Sequence, residues 1–192
     1  MNHNPQVNTD LIERCVQILK DTYGKQLSPF EESTADDVVI IPAFGTTLAI
    51  EKLLNEKSIA TAKYNTTCPF VEKVWNRSEQ IAKKNYTVIV HGKPMHEETR
   101  ATFSRAAKAA PAVIVNDMAE AIVLSEYITG ENKAGDFYSL FVGKDSNGFD
   151  VENALQQVGV VNQTTMQASE TQPRSASAKQ GMTQTYRPES RP

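Results

Sequence analysis

The chain's strongest constraint on its fold is a series of short runs that read as strands, 38–44, 59–64, 86–90, 112–115 and 158–161, of which 38–44 stays apolar without alternating with polar residues. A strand with one face in water alternates, whereas a run that stays apolar is covered on both faces, as strands of a parallel sheet are. Helical periodicity fills the gaps. Leu48, Ile50, Leu53 and Leu54 mark a helix over about 47–56, and Phe70, Val71, Val74, Trp75, Ser78 and Ile81 share one face of a helix that starts at Cys68-Pro69. Further helices are predicted from about Glu97 to Ala109 and from Met118 to Ile128, with a helix start near Thr165. Strands alternating with helices predict an α/β protein of repeated β-α units in parallel, three-layer α/β/α sheets. Before the first run, apolar residues at 11, 12, 15, 16 and 19 predict a helix with Cys15 in the core, followed by a loop from Ser28 to Asp37. The stretch 130–150 reads as irregular, and the Pro-, Ser-, Gln-, Thr- and Arg-rich segment 173–192 as a disordered tail.

Ligands of open α/β sheets gather at the carboxyl ends of strands. Four groups of residues stand there: Phe44-Gly45, Cys68, His91 to His96, and Asn162 to Thr165. Pro69 suits the first helical position, so Cys68 falls where unpaired N–H groups and the helix dipole favour an anion. That placement suits a nucleophilic or metal-ligating thiolate, and it suits a small buried cysteine equally. Glu97 and Glu98 fall in a first helical turn, where carboxylates are favoured by the dipole alone, and Thr165 is an ordinary capping residue.

Composition narrows the class. The 192 residues, 40% of them hydrophobic, can bury one sizeable core. No apolar run approaches the roughly 18 residues that cross a bilayer, and a net charge of −3 with scattered basic residues offers no nucleic-acid surface. Two cysteines, Cys15 and Cys68, are too few for a disulfide framework and fit a reducing compartment.

Asn65-Thr66-Thr67-Cys68-Pro69-Phe70-Val71-Glu72-Lys73-Val74-Trp75, His91-Gly92-Lys93, His96-Glu97-Glu98-Thr99 and Asn162-Gln163-Thr164-Thr165-Met166 stand in the order, and close to the spacing, of four blocks of the LytB family. The resemblance begins at His3-Asn4-Pro5-Gln6-Val7-Asn8 and reaches about Gln172. LytB proteins are 4-hydroxy-3-methylbut-2-enyl diphosphate reductases, which remove an allylic hydroxyl by two electrons and two protons in the last step of the non-mevalonate isoprenoid pathway, giving isopentenyl and dimethylallyl diphosphates. The resemblance implies their pseudo-threefold, three-domain arrangement. Residues 1–67 would be the remainder of a first α/β unit, 68–172 a central unit, and 173–192 a tail foreign to the family.

The same resemblance implies roles. Cys68 matches the middle of three cysteines that hold a 4Fe-4S cluster, Glu98 the proton donor, and His3 and His96 two histidines that hold the diphosphate. Thr164 matches a threonine that touches the substrate and relays a proton with the glutamate. His91 aligns less firmly and reads as a supporting residue. Where many members carry a histidine, this chain has Phe44, as the plant and cyanobacterial branch does, and Phe cannot donate to phosphate. The other two cluster cysteines would lie before His3 and in the last third of the family's length, so the chain reads as truncated at both ends, with its activity in isolation in doubt. An electron donor such as ferredoxin or flavodoxin is implied, as is a cytoplasmic location, or the plastid stroma in a photosynthetic eukaryote. Two rival readings remain: a non-catalytic α/β fragment that binds a diphosphate, and a cysteine-nucleophile enzyme using Cys68 and His96, which lacks an oxyanion or triad signature.

Overall fold

A computed structural model describes residues 5–132 and 134–166. His3 and the segment 173–192 lie outside them. The order of elements is α1 (Pro5–Glu13), α2 (Leu48–Glu56), α3 (Pro69–Ala82), β1 (Thr87–His91), α4 (Glu97–Ala109), β2 (Ala112–Val115), α5 (Met118–Thr129), α6 (Phe137–Leu140), α7 (Val151–Ala154) and β3 (Val158–Asn162). Single 3-10 turns occupy Phe30–Glu32, Ala62–Tyr64 and Ala134–Asp136.

The three strands form one parallel sheet in the order β2-β1-β3. All five residues of the central strand β1 are buried. Its side chains alternate between two cores. Val88 and Val90 join Ala112, Ile114 and Val161 beneath α3 and α4, together with Ile81 and Ala106. On the other face, Ile89, Val113, Val115 and Val158 pack with Leu124 and Tyr127 of α5 and with Phe137, Phe141, Phe149, Val151 and Leu155. The sheet is therefore the middle of three layers, which is why its strands read as unbroken apolar runs. Contact between α3 and β3 is close: a Cβ on Gly159 would fall 2.7 Å from Ile81 Cγ2, so only glycine fits there.

The amino-terminal third departs from the sequence reading at four points. The first helix ends at Glu13 rather than running to residue 19, closed by a bond from the Val16 N–H to the Leu11 carbonyl (3.0 Å) and another from the Cys15 N–H to the Ile12 carbonyl (2.9 Å). This pair of bonds is a Schellman closure, with Cys15 in its left-handed position at φ 62°. Cys15 is thus exposed and not a core residue. The runs 38–44 and 59–64 are not strands. They meet at a single parallel bridge between Ile41 and Asn65, with Ile41 N–H to Tyr64 O (3.1 Å) and Thr66 N–H to Ile41 O (3.0 Å). The next carbonyl on that side, that of Ala43, accepts the Cys68 N–H (2.8 Å) at the start of α3, and residues 62–64 wind into a 3-10 turn, so no longer ladder forms; the N–H that Pro42 lacks would face the opposite edge. Phe70, expected on the inner face of α3, is 66% exposed, while Val71, Trp75, Ser78 and Ile81 are buried as the periodicity predicts. At the other end, Thr164 and Thr165 form a turn after β3, and the residues over which a helix is predicted to follow lie beyond the described segment.

Candidate functional site

The carboxyl ends of β1 and β3 lie side by side, His91 opposite Asn162, and the chain leaves each of them toward the start of α4. That junction collects most of the sequence-predicted residues. His96 is the N-cap of α4; its Nδ1 accepts the Glu98 backbone N–H at 3.2 Å, so the ring proton of the neutral imidazole sits on Nε2. The edge of its ring meets Phe44, with centroids 5.2 Å apart and planes at 77°.

Glu98 is fully buried in the first turn of α4. Its Oε1 accepts the Thr164 backbone N–H at 2.5 Å, and Thr165 Oγ1 lies 3.5 Å from its Oε2. The structure thus brings Glu98 and Thr164 together, through Thr164's backbone rather than its hydroxyl. Neighbouring Glu97 is 5% exposed; burial raises its pKa above the ordinary carboxylate value, against the nearby positive charges of Arg100 and Lys20.

In the sequence Gln163 reads as an ordinary turn residue, and the structure makes it the centre of the junction. Its side chain is buried, with Oε1 accepting the Lys93 backbone N–H (3.1 Å) and the Thr99 hydroxyl (2.9 Å), while Nε2 donates to Thr165 Oγ1 (2.5 Å). Its backbone N–H donates to the His91 carbonyl at 2.8 Å. Gly92 makes room for this: a Cβ there would sit 2.5 Å from Thr99 Oγ1 and 2.9 Å from both Cβ and Oε1 of Gln163. The only hint in the sequence is a glycine directly after a strand. His91 itself points to the opposite face of the sheet from α4. Its Nδ1 is 3.2 Å from Asn162 Oδ1, and its buried Nε2 has no partner among the described residues.

Cys68 is the N-cap of α3, as its place before Pro69 predicts. Its N–H donates to the Ala43 carbonyl at 2.8 Å, and its half-buried side chain packs beside Val71, Trp75 and Ala101. Ala101 lies one turn beyond Glu98 on α4, so Cys68 borders the same helix as the carboxylate. Trp75 fastens α3 to α4 by donating from Nε1 to Thr102 Oγ1 (3.1 Å), and the Arg105 guanidinium lies 3.6 Å over its ring. Arg105 also donates to the Thr46 carbonyl (2.7 Å) and pairs with Glu51, which ties the Phe44 turn to the same helix. Among the described residues, no three His, Cys, Asp or Glu side chains come together as a metal site. With Cys68 the one thiol at this junction and Cys15 exposed at the close of α1, the described residues do not by themselves fit an iron–sulfur cluster. No helix among the described residues is long and apolar enough to cross a membrane.

The LytB protein family model matches residues 1–189. The 4-hydroxy-3-methylbut-2-enyl diphosphate reductases of Prochlorococcus marinus (strain MIT 9301) and Synechococcus sp. (strain CC9605) are each 44% identical to the chain over 170 residues, covering 88% of the chain and 41% of the relative. The chain therefore spans about two-fifths of the length of these relatives. Among solved structures, the E-1-hydroxy-2-methyl-but-2-enyl-4-diphosphate reductase from Plasmodium falciparum superposes with a TM-score of 0.60 at 20% identity, covering 95% of this chain and 44% of that one. A structure of (E)-4-hydroxy-3-methyl-but-2-enyl diphosphate reductase gives 0.54 at 22% identity, covering 84% and 53%. At such identities the superpositions speak for the fold, and the match of sequence to the family model over nearly its whole length carries the conclusion that this chain belongs to the LytB family.

Proposed function

We propose that this chain is the part of a 4-hydroxy-3-methylbut-2-enyl diphosphate reductase that positions the substrate's diphosphate and delivers a proton to its departing hydroxyl. The reaction consumes two electrons and two protons per allylic hydroxyl and releases water, leaving isopentenyl or dimethylallyl diphosphate. The observation that carries the reading is the burial of Glu98 at the carboxyl ends of β1 and β3, two residues from His96, with one oxygen fixed by the Thr164 N–H. A buried carboxyl whose orientation is set in advance is suited to transfer a proton at a defined point. Charge-assisted hydrogen bonds to phosphate oxygens fit His96, whose Nε2 carries the ring proton, and by family resemblance His3. Thr164 closes the substrate side of the carboxyl.

Cys68 fits the role of one ligand to the family's 4Fe-4S cluster, and the cluster when bound supplies the electrons, received from a donor such as ferredoxin or flavodoxin. The remaining ligands are not among the described residues, and the part of the chemistry that falls to this chain's own residues is the proton and the diphosphate. A cytoplasmic or plastid-stromal setting fits the two unpaired cysteines. The test is a chimaera in which a full-length cyanobacterial relative carries this chain's residues over the matched segment. Restored growth of a reductase-deficient host supports the reading, and an inert chimaera with a normal cluster spectrum refutes it.

The absence of a three-donor metal site among the described residues favours a second reading, a diphosphate-binding α/β fragment without redox chemistry. Anaerobic incubation of the chain with iron and sulfide separates the two. A stable brown protein whose visible band disappears in Cys68→Ser rejects the second reading, whereas a colourless protein that still binds inorganic pyrophosphate supports it.

A further inference from the structure

The hydrogen bonds around Gln163 have only one consistent direction. A backbone N–H can only donate, so the Lys93 N–H fixes which end of the Gln163 amide is oxygen. The other end must be the NH2 group, which can only donate, and it faces Thr165 Oγ1 at 2.5 Å. Thr165 Oγ1 is therefore an acceptor toward Gln163, and its own proton is left for another partner. The acceptor within reach is Glu98 Oε2, at 3.5 Å. On the far side, the Thr99 hydroxyl donates to Gln163 Oε1 at 2.9 Å and completes the amide. One polarised chain thus runs from Thr99 through Gln163 and Thr165 to Glu98.

We infer that Gln163 is a positioning residue that sets the direction of the Thr165 hydroxyl, and that Thr165, rather than Thr164, presents the hydroxyl that faces the Glu98 carboxyl. Thr164 holds the opposite oxygen through its backbone N–H, a bond that no substitution at 164 other than proline removes. Both carboxyl oxygens then meet donors from the single turn after β3, and the carboxyl plane is fixed against rotation. Gly92 belongs to the device, because any larger residue would push Thr99 and Gln163 apart. The importance of this arrangement for proton delivery rests on the role proposed for Glu98; the hydrogen-bond direction does not.

The test uses 15N-labelled full-length chain and reads two signals, the Thr164 backbone amide and the Gln163 side-chain NH2. The Thr164 amide proton should lie far downfield, as expected for a short bond to a carboxylate. Thr165→Val removes only the hydroxyl; it should move the Thr164 proton upfield and speed exchange of the Gln163 NH2. Thr165→Ser should restore both signals, and Thr164→Val should leave the Gln163 NH2 where it is. Gln163→Leu, which has no side-chain NH2 to read, should move the Thr164 proton upfield as Thr165→Val does, and if it fails to fold the threonine variants decide alone. The inference is overturned if Thr165→Val leaves both signals in place, or if Thr164→Val disturbs the Gln163 NH2 as much as Thr165→Val does. In the full-length chimaera, Thr165→Val should lower kcat roughly tenfold with KM nearly unchanged, and Thr165→Ser should recover it. Shifted spectra with unaltered turnover would keep the hydrogen-bond chain and remove its importance for proton delivery, while the role of Glu98 itself is read from Glu98→Gln, so the two ideas fail separately.

Discussion

Two apolar runs of similar composition meet different fates in this chain. Residues 112–115 become a strand buried along its whole length, whereas residues 38–41, just as rich in valine and isoleucine, make one bridge and leave Val38 and Ile40 each 60% exposed. The difference lies in what surrounds each run. β2 joins a ladder with β1 and is covered by helices on both faces; the run at 38–44 bonds to its neighbour from Ile41 and Ala43 alone, carries a proline between them whose missing N–H lies on the other edge, and has no neighbour along that edge among the described residues. Apolarity marks a segment for burial, and pairing decides whether it becomes a strand.

The contrast extends to chemistry, and the largest expected effect tests it there. Glu98, Gln163 and Thr164 all stand on the paired sheet and its connections, while the bridged half contributes Phe44. In a full-length chimaera, Glu98→Gln keeps the size and the Thr164 bond but cannot transfer a proton, so kcat should fall by roughly 10²- to 10⁴-fold with little change in substrate binding. His96→Ala should act mainly through weaker binding, because the diphosphate contact proposed for it would be made in ground and transition states alike. Phe44→Leu should change turnover by less than about tenfold, since a hydrocarbon ring donates nothing to phosphate. A larger loss from Phe44→Leu than from Glu98→Gln would place the chemistry on the wrong half.

Stability offers a more direct comparison, using one residue type in both runs. Ile114 is 3% exposed between β1 and the α3–α4 layer, so Ile114→Ala should destabilise the chain by about 2–5 kcal/mol. Ile40→Ala, at 60% exposure, should stay within about 0.5 kcal/mol. Urea unfolding of both variants measures the pair. Similar losses would mean that Ile40 is covered in solution, and that the run at 38–44 has a partner beyond the described residues.

Much of this contrast is legible in the sequence. Periodicity locates α2, α3, α4 and α5 and the three paired strands, because each carries a local signal of its own. The site residues at strand ends follow from the same logic, and His96, Glu98 and Thr164 do converge. What the sequence hides are features set by single contacts between distant segments. The central place of Gln163 depends on Lys93 and Thr99, some 70 and 64 positions away. Cys15 looks like a core residue because it continues a helical pattern, and nothing local announces that a non-glycine residue takes the left-handed closing position. Phe70 fits the inner stripe of α3, yet it is exposed in the first turn beside buried Val71, with the Lys73 ammonium 5.1 Å over its ring.

The smallest expected effect compares two helix starts within the paired half, one sealed and one open. At α5, the Asp117 carboxylate caps the helix and accepts the N–H groups of Glu120 (3.0 Å) and Ala119 (2.9 Å), and the bond from Glu120 leads in holding its pKa below the ordinary value. At α4, burial pushes Glu97 the other way. The depressed group contributes stability that is present above its unfolded value of 3.8 and is lost as pH falls through its folded value. The raised group behaves oppositely: its contribution is complete below its unfolded value of 4.5 and is lost as pH rises through the folded value. Asp117→Asn keeps a capping oxygen but removes the charge, so the wild type should exceed this variant at pH 7 by a fraction of a kcal/mol, about the scale of a helix-dipole charge, with the gap closing near pH 3. Glu97→Gln should be at least as stable as the wild type at pH 7 and lose that advantage near pH 4, where the wild-type carboxyl is neutral. Urea midpoints across pH 3 to 7 measure both. If the two variants diverge from the wild type in the same direction as pH rises, burial does not govern Glu97, and the seal over the start of α4, on which the fixed carboxyl of Glu98 also depends, is looser than its geometry indicates.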